Sequence, residues 1–262
     1  MTTILDKIVA HKKGEIEKQK QYFPFNKLIQ QKRVRKRYSL KQNLLIKDTG
    51  GIIAEFKRKS PSKGWINRQA VSTETVPHYE KAGVAGASIL TDSAFFGGTK
   101  NDLIEAGRLS KLPLLRKDFI IDEYQIAEAN IMGADVILLI AACLSPQRVC
   151  ELAQIARNNN LEVLLEIHNE QELRHICDEV TFVGVNNRNL HTFKTGIETS
   201  VQLSKQIPEG FIKISESGIS SVDNVKYLKS YGYKGFLMGE TFMKSIDPGK
   251  SCKTFIEQLN NE

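Results

Sequence analysis

Val136-Ile137-Leu138-Leu139-Ile140-Ala141 is a run of apolar residues with no polar interruption. A strand with one face in water alternates polar and apolar side chains, because successive side chains point to opposite faces. This run does not alternate, so both faces are expected to be buried, as in a parallel strand covered by helices. Seven further runs share the texture: Ile52–Phe56, Ala87–Leu90, Leu112–Leu115, Val163–Ile167, Phe182–Val185, Phe211–Ile214 and Gly235–Met238. Their starts fall about 26 residues apart, which leaves room for a strand, a turn and a helix. The intervening segments read as helices. Gln125–Met132 ends at Gly133, Pro146–Asn158 has Ser145 as N-cap with Pro146 in its first turn, and Ser221–Tyr231 stops at Gly232. Eight strand–helix units in one series predict an α/β fold closed as a (β/α)8 TIM barrel of eight parallel strands. Chains of about 250 residues commonly adopt it, and this chain has 262. The pattern alone also admits an open doubly wound sheet.

Upstream of the barrel the texture is different. Ile4, Leu5, Ile8, Val9 and Ile16 recur at helical spacing, predicting a helix over Thr3–Lys20 that Pro24 closes off, with a second short piece around Lys27–Gln31. Residues 1–47 read as a helical extension of the same domain and 48–262 as the barrel. The extension carries 13 of the 37 Lys/Arg and 3 of the 30 Asp/Glu, a balance of +10 against −3 for the remainder. Its run Lys32–Arg37, with Tyr38 beside it, reads as a solvated basic stretch, as a lure for an anionic substrate, or as a nucleic-acid contact. No apolar run is long enough to span a membrane, and the N-terminus lacks a secretory pattern. Cys143, Cys150, Cys177 and Cys252 form no CxxC pair and no metal spacing with the histidines, so buried free thiols are expected. These features fit a reducing cytoplasm.

Chemistry in such a barrel gathers at the C-terminal ends of the strands, and these ends are polar in a consistent way. Glu55 and Lys57 share a face with Ile53, Lys117 with Leu115, and Glu166 with Leu164; Asn186 and Arg188 share another, and Glu216 follows Ile214. Charged groups set into apolar strands are costly unless paired or in contact with substrate, so their convergence at one mouth is expected. Ser217-Gly218 and Gly239 follow the last two strands, where barrels often bind phosphate.

The stretch Glu55-Phe56-Lys57-Arg58-Lys59-Ser60-Pro61-Ser62 resembles the marker of the indole-3-glycerol-phosphate synthase family. The resemblance continues through Leu90-Thr91-Asp92, Pro113–Ile120, Leu164–His168, Gly184–Leu190 and Ser215–Ile219, and includes the opening Ile4–Lys13. It implies decarboxylating, dehydrating ring closure of 1-(2-carboxyphenylamino)-1-deoxyribulose 5-phosphate to indole-3-glycerol phosphate, a step of tryptophan biosynthesis. It implies no cofactor and no metal. The partner is an anionic phosphosugar bearing an anthranilate ring, not nucleic acid or membrane, and the chain is expected as a monomer or weak oligomer. The resemblance gives catalytic roles to Lys117 as acid, Glu166 as base, Lys57 as second acid or carboxylate contact, Glu55 as its orienting group, and Asn186. Ser60, Arg188 and Glu216 would bind substrate, and Ser217, Gly218 and Gly239 would hold phosphate. Glu240, beside that phosphate, is expected to turn its carboxylate away. His168 and His191 read as structural or solvated, and Trp65 as a loop residue that either covers the substrate ring or packs the loop. The rival readings are a Schiff-base aldolase using Lys57, Lys117 or Lys213, a phosphosugar isomerase on the same barrel, and a nucleic-acid-binding module.

Overall fold

A computed structural model describes residues 3–45, 49–189 and 194–261. The eight runs are strands: β1 Ile52–Phe56, β2 Gly86–Leu90, β3 Leu114–Lys117, β4 Val136–Ile140, β5 Glu162–Ile167, β6 Phe182–Asn186, β7 Ile212–Glu216 and β8 Tyr233–Met238. Each pairs in parallel with its sequence neighbour, and β8 returns to β1, closing the barrel. The open-sheet alternative is thereby removed.

Period two sorts the side chains. Ile137 and Leu139 of β4 join the outer core against the helices. Val136, Leu138 and Ile140 fill the interior with Ile53, Leu115, Leu164, Phe182, Ile214 and Leu237. Full burial of one such side chain is worth roughly 1.5–3 kcal/mol, so neither face tolerates an uncompensated charge. The same alternation sends Glu55, Lys117, Glu166, Asn186 and Glu216 inward, each at the mouth end of its strand.

Three strands end later than the hydropathy reading, β3 running on to Lys117, β6 to Asn186 and β7 to Glu216, whereas β4 stops at Ile140, one residue short of Ala141. A hydropathy reading halts at the first charge, whereas ladder hydrogen bonds are made by main-chain groups whatever the side chain. Asn186 and Glu216 are register partners, as are Glu166 and Gly184.

The extension closes both ends of the barrel. Helix α1 spans Ile4–Tyr22, two residues beyond the expected end, with Thr3 and Asp6 forming a capping box. The second piece is Phe25–Leu28, starting directly after Pro24, and a third helix, Leu40–Leu44, was not anticipated. Ile4, Leu5 and Ile8 of α1 reach the mouth. At the opposite end Leu40 and Leu44 plug the interior core. Much of the basic run is structural. Arg33 donates to the carbonyls of Asn130 and Gly133 at the C-terminus of helix Glu123–Met132 and pairs with buried Asp135. Arg35 reaches the Leu112 carbonyl at 2.9 Å and lies over the Tyr38 ring, and Arg37 reaches Asn130 Oδ1 at 3.0 Å. The guanidinium groups of Arg33 and Arg35 are thus held by the fold, while Lys32, Lys36 and Arg37 are exposed.

The cysteines are free, but only Cys252 is buried; Cys143, Cys150 and Cys177 are half-buried, contrary to expectation. The fold also brings the thiols of Cys150 and Cys177 and the carboxylate of Glu179 within 4.8 Å of one another, a juxtaposition that linear spacing does not reveal. No described helix is long and apolar enough to cross a membrane.

Candidate active site

At the C-terminal ends of the strands lies a cavity of about 380 Å³, a size suited to a small organic ligand. All eleven residues singled out from the sequence line it: Glu55, Lys57, Ser60, Lys117, Glu166, Asn186, Arg188, Glu216, Ser217, Gly218 and Gly239.

Lys117 stands at the centre. Its Nζ lies 2.7 Å from Glu166 Oε2 and 3.4 Å from Glu216 Oε2. Burial alone would lower the ammonium's pKa, but Glu166, Glu216 and Glu55 outweigh it and hold the group well above the usual lysine range. Burial likewise opposes charge on Glu166, yet Lys117 and then His168 keep its carboxyl far below the carboxylate range. Glu216 goes the other way. Burial, reinforced by Glu166 and Glu55 and only partly offset by Lys117, pushes it up to about 7. Its Oε1 is buried and has no hydrogen-bond partner among the described residues. Neighbouring titratable groups driven apart in this way are a mark of acid–base sites. A lysine held charged between carboxylates is not the neutral amine that a Schiff-base aldolase requires. Lys213 is spent on the carbonyls of Ser204 and Tyr231 and does not line the cavity.

Lys57 pairs with Glu55 just beyond β1. Two glycines make room for the carboxylates. A Cβ at Gly239 would lie 2.6 Å from Glu55 Oε1, and one at Gly184 would lie 2.3 Å from Glu216 Oε1. Gly184 was not singled out from the sequence, because its need to be small comes from Glu216 on the neighbouring strand. Asn186 donates from Nδ2 to Glu166 Oε1 at 3.0 Å and accepts from the Arg188 N–H. Its amide is committed to orienting neighbours.

Directly after β7, Ser217 has φ 66° and Gly218 φ 75°. A serine in the left-handed region is uncommon and is often found where a site needs the backbone in that shape. Asn187 Nδ2 holds it by donating to the Ser217 carbonyl at 3.1 Å. The Glu240 carboxylate faces cations, pairing with Lys244 and lying 3.9 Å from Lys63 Nζ and 3.8 Å from Arg188 Nη2. Trp65 is about half exposed, does not line the cavity and packs its loop against Gly97 with Arg68 over its ring. His191 lies outside the described residues. His168, read from the sequence as structural or solvated, has a side chain only 9% exposed, with its Nε2 3.2 Å from Glu166 Oε1. Its spacing of two from Glu166 was the available signal.

A closed β/α barrel whose mouth gathers paired lysines and carboxylates in a cavity of about 380 Å³ defines a barrel enzyme with groups suited to acid–base chemistry on a small organic molecule. Residues 5–255 match the indole-3-glycerol phosphate synthase family, and the chain belongs to that family. An indole-3-glycerol phosphate synthase of Bacteroides thetaiotaomicron is 47% identical over 260 residues, covering 99% of this chain and all of that one. One from Caldanaerobacter subterraneus subsp. tengcongensis is 43% identical, covering 98% of each. Among solved structures, a tryptophan synthase α-subunit from Pyrococcus furiosus matches with a TM-score of 0.61 at 17% identity, covering 82% of this chain and 99% of that one. At that identity the likeness shows the fold alone.

Proposed function

We propose that this cavity closes the indole ring of indole-3-glycerol phosphate, with Lys117 as the acid that starts the reaction. The carboxyl-bearing ring carbon of the carboxyphenylamino group attacks the ketone carbon of the ribulose chain. As the C–C bond forms, the ketone oxygen gains charge and takes the proton of Lys117. Carbon dioxide leaves, its bonding pair restoring the aromatic ring. The new hydroxyl then departs as water, protonated by Lys57, which Glu55 orients. Glu166 removes the proton from the methylene beside nitrogen, completing the pyrrole double bond. The observation that carries this reading is the contact of the Lys117 ammonium with Glu166, acid and base within 2.7 Å in one buried site.

Asn186 supports it by aiming Glu166, Glu216 offers its unpartnered Oε1 to a substrate hydroxyl or amine, and Ser60 and Arg188 flank the substrate. Ser217, Gly218 and Gly239 would hold the phosphate through backbone N–H groups. We also read residues 1–47 as part of the same folding unit as 48–262, because α1 and Leu40–Leu44 cover opposite ends of one barrel. The direct test is indole fluorescence rising when the purified chain meets 1-(2-carboxyphenylamino)-1-deoxyribulose 5-phosphate without added metal; no product from fresh substrate defeats the reading.

Glu240 yields a separate expectation. Its carboxylate competes with an incoming anion for Arg188, Lys63 and Lys244. A partly exposed pair of this kind is worth about 0.5–1 kcal/mol, so Glu240→Gln should lower KM about two- to fivefold at low salt, with the gain fading as salt rises. A raised KM would mean that Glu240 organises these cations for the substrate instead.

A further inference from the structure

We infer that His168 is a positioning residue for the base, an imidazolium that commits one oxygen of Glu166 and leaves the other to do the chemistry. The inference rests on the assignment of Glu166 as base and goes beyond it. His168 is the first residue past β5 and returns to the inward face. Its ring is held from behind: Glu172 Oε2 accepts the His168 backbone N–H at 2.7 Å and lies 3.3 Å from ring Nδ1. Asn169 fixes the other oxygen of Glu172 at 3.0 Å. In front, Nε2 faces Glu166 Oε1 at 3.2 Å, an ionic contact rather than an aligned hydrogen bond. Both ring nitrogens thus face carboxylate oxygens. A neutral imidazole would turn a lone pair on one of them, so this geometry favours the doubly protonated ring.

The surroundings agree. Glu172 on the turn Glu170–His175 and Glu166 on β5 supply two negative charges. Asn186 of β6 donates to the same Oε1, and Lys117 of β3 lies beyond, on Oε2. Asp6 of α1 and Cys143 belong to the same neighbourhood, and burial pushes that thiol up to about 12, which keeps it neutral. Burial would lower the imidazole's own pKa, but Glu166 and Glu172 hold it at about 9. With Oε1 occupied by His168 and Asn186, Oε2, which faces Lys117 alone, is the oxygen that takes a proton once the Lys117 proton has gone to the ketone oxygen. The cation also keeps Glu166 ionised at pH values where a lone buried carboxyl would be protonated.

The test is a set of variants read by kcat, KM, melting temperature and pH profile. His168→Ala should lower kcat on the order of ten- to a hundredfold, leave KM within about twofold, and move the acid limb of kcat upward by roughly one pH unit. His168→Gln restores an N–H without charge, so it should recover part of kcat while keeping the shifted limb. Glu172→Gln, which leaves the Glu166 contact in place, should shift the limb less and in the same direction, and it serves if the alanine variant does not fold. An unmoved acid limb in these variants overturns the inference, whether or not kcat falls, because a merely structural histidine affects packing and not the base. Glu166→Gln separates the two assignments. If it is inactive while His168→Ala is unaffected, only the positioning role fails; if it remains active, the base assignment itself fails.

Discussion

Lys117→Met should lower kcat by about a thousandfold or more while changing KM little, because the ammonium matters most when the ketone oxygen acquires charge. Methionine keeps most of the stem volume, so the loss reads the charge and the proton rather than a cavity. The substitution also strands Glu166 and Glu216, which share the ammonium at 2.7 and 3.4 Å. Without it Glu216 is a buried carboxylate that has lost its cation and Glu166 keeps only His168, so the folded-state pKa values of both rise, that of Glu216 well above its value in the unfolded chain. A carboxyl with a raised folded pKa resists ionisation, so it withdraws stability as pH climbs past the unfolded value of roughly 4. The melting temperature of Lys117→Met should therefore fall increasingly behind wild type between about pH 4 and pH 8. Retention of a tenth or more of wild-type kcat at pH 7 would remove Lys117 from its role. A deficit independent of pH would mean that the three groups are not electrically coupled as the distances imply.

The fold was legible because two periodicities carried it. Continuous apolar runs marked strands covered on both faces, and caps such as Ser145 and Gly133 delimited helices where expected. The site was legible for the same reason: counting by twos from Ile53, Leu115 and Leu164 placed Glu55, Lys117 and Glu166 inside the barrel before any contact was known. What escaped depended on the third dimension. Gly184 matters because Glu216 from the next strand leans over it, and no local pattern records a neighbour's side chain. His168 sits past the apolar run, and a histidine there is equally consistent with solvent. Arg33 and Arg35 looked like a charged surface since their partners, Asp135 and the carbonyls near Gly133, lie about a hundred residues away. The cations around Glu240 come from three separate segments, Lys63, Arg188 and Lys244, which only the fold brings together.

Lys12→Met should produce the largest loss of stability. The ammonium of Lys12, 2% exposed, joins α1 to the loops after β2 and β3, lying 3.1 Å from Asp92 Oδ2, 3.1 Å from Asp118 Oδ1 and 2.9 Å from Glu15 Oε2. Removing one partner of a buried ion cluster costs about 3–5 kcal/mol, since the remaining charges stay desolvated. At roughly 2–4 °C per kcal/mol for a chain of this size, the melting temperature should drop by about 10 °C at pH 7. The pH dependence has a definite sign. Burial opposes ionisation of Asp118, but Arg116 and then Lys12 hold its carboxyl well below the usual range. Its contribution is therefore present above the unfolded value of roughly 4 and is lost as pH falls through the depressed folded value. Lys12, raised above its usual range by Asp118, Glu15 and Asp92 against the pull of burial, keeps its contribution until pH rises past the unfolded lysine value of roughly 10. The gap between wild type and Lys12→Met should therefore be widest between these limits and narrow below about pH 4. Because Ile4, Leu5 and Ile8 on the same helix line the mouth, loosening α1 should also raise KM, an effect that pure destabilisation would not produce well below the melting temperature. A uniform gap across pH would show that the cluster contributes through packing, and an unchanged KM would show that α1 holds its place over the cavity without Lys12.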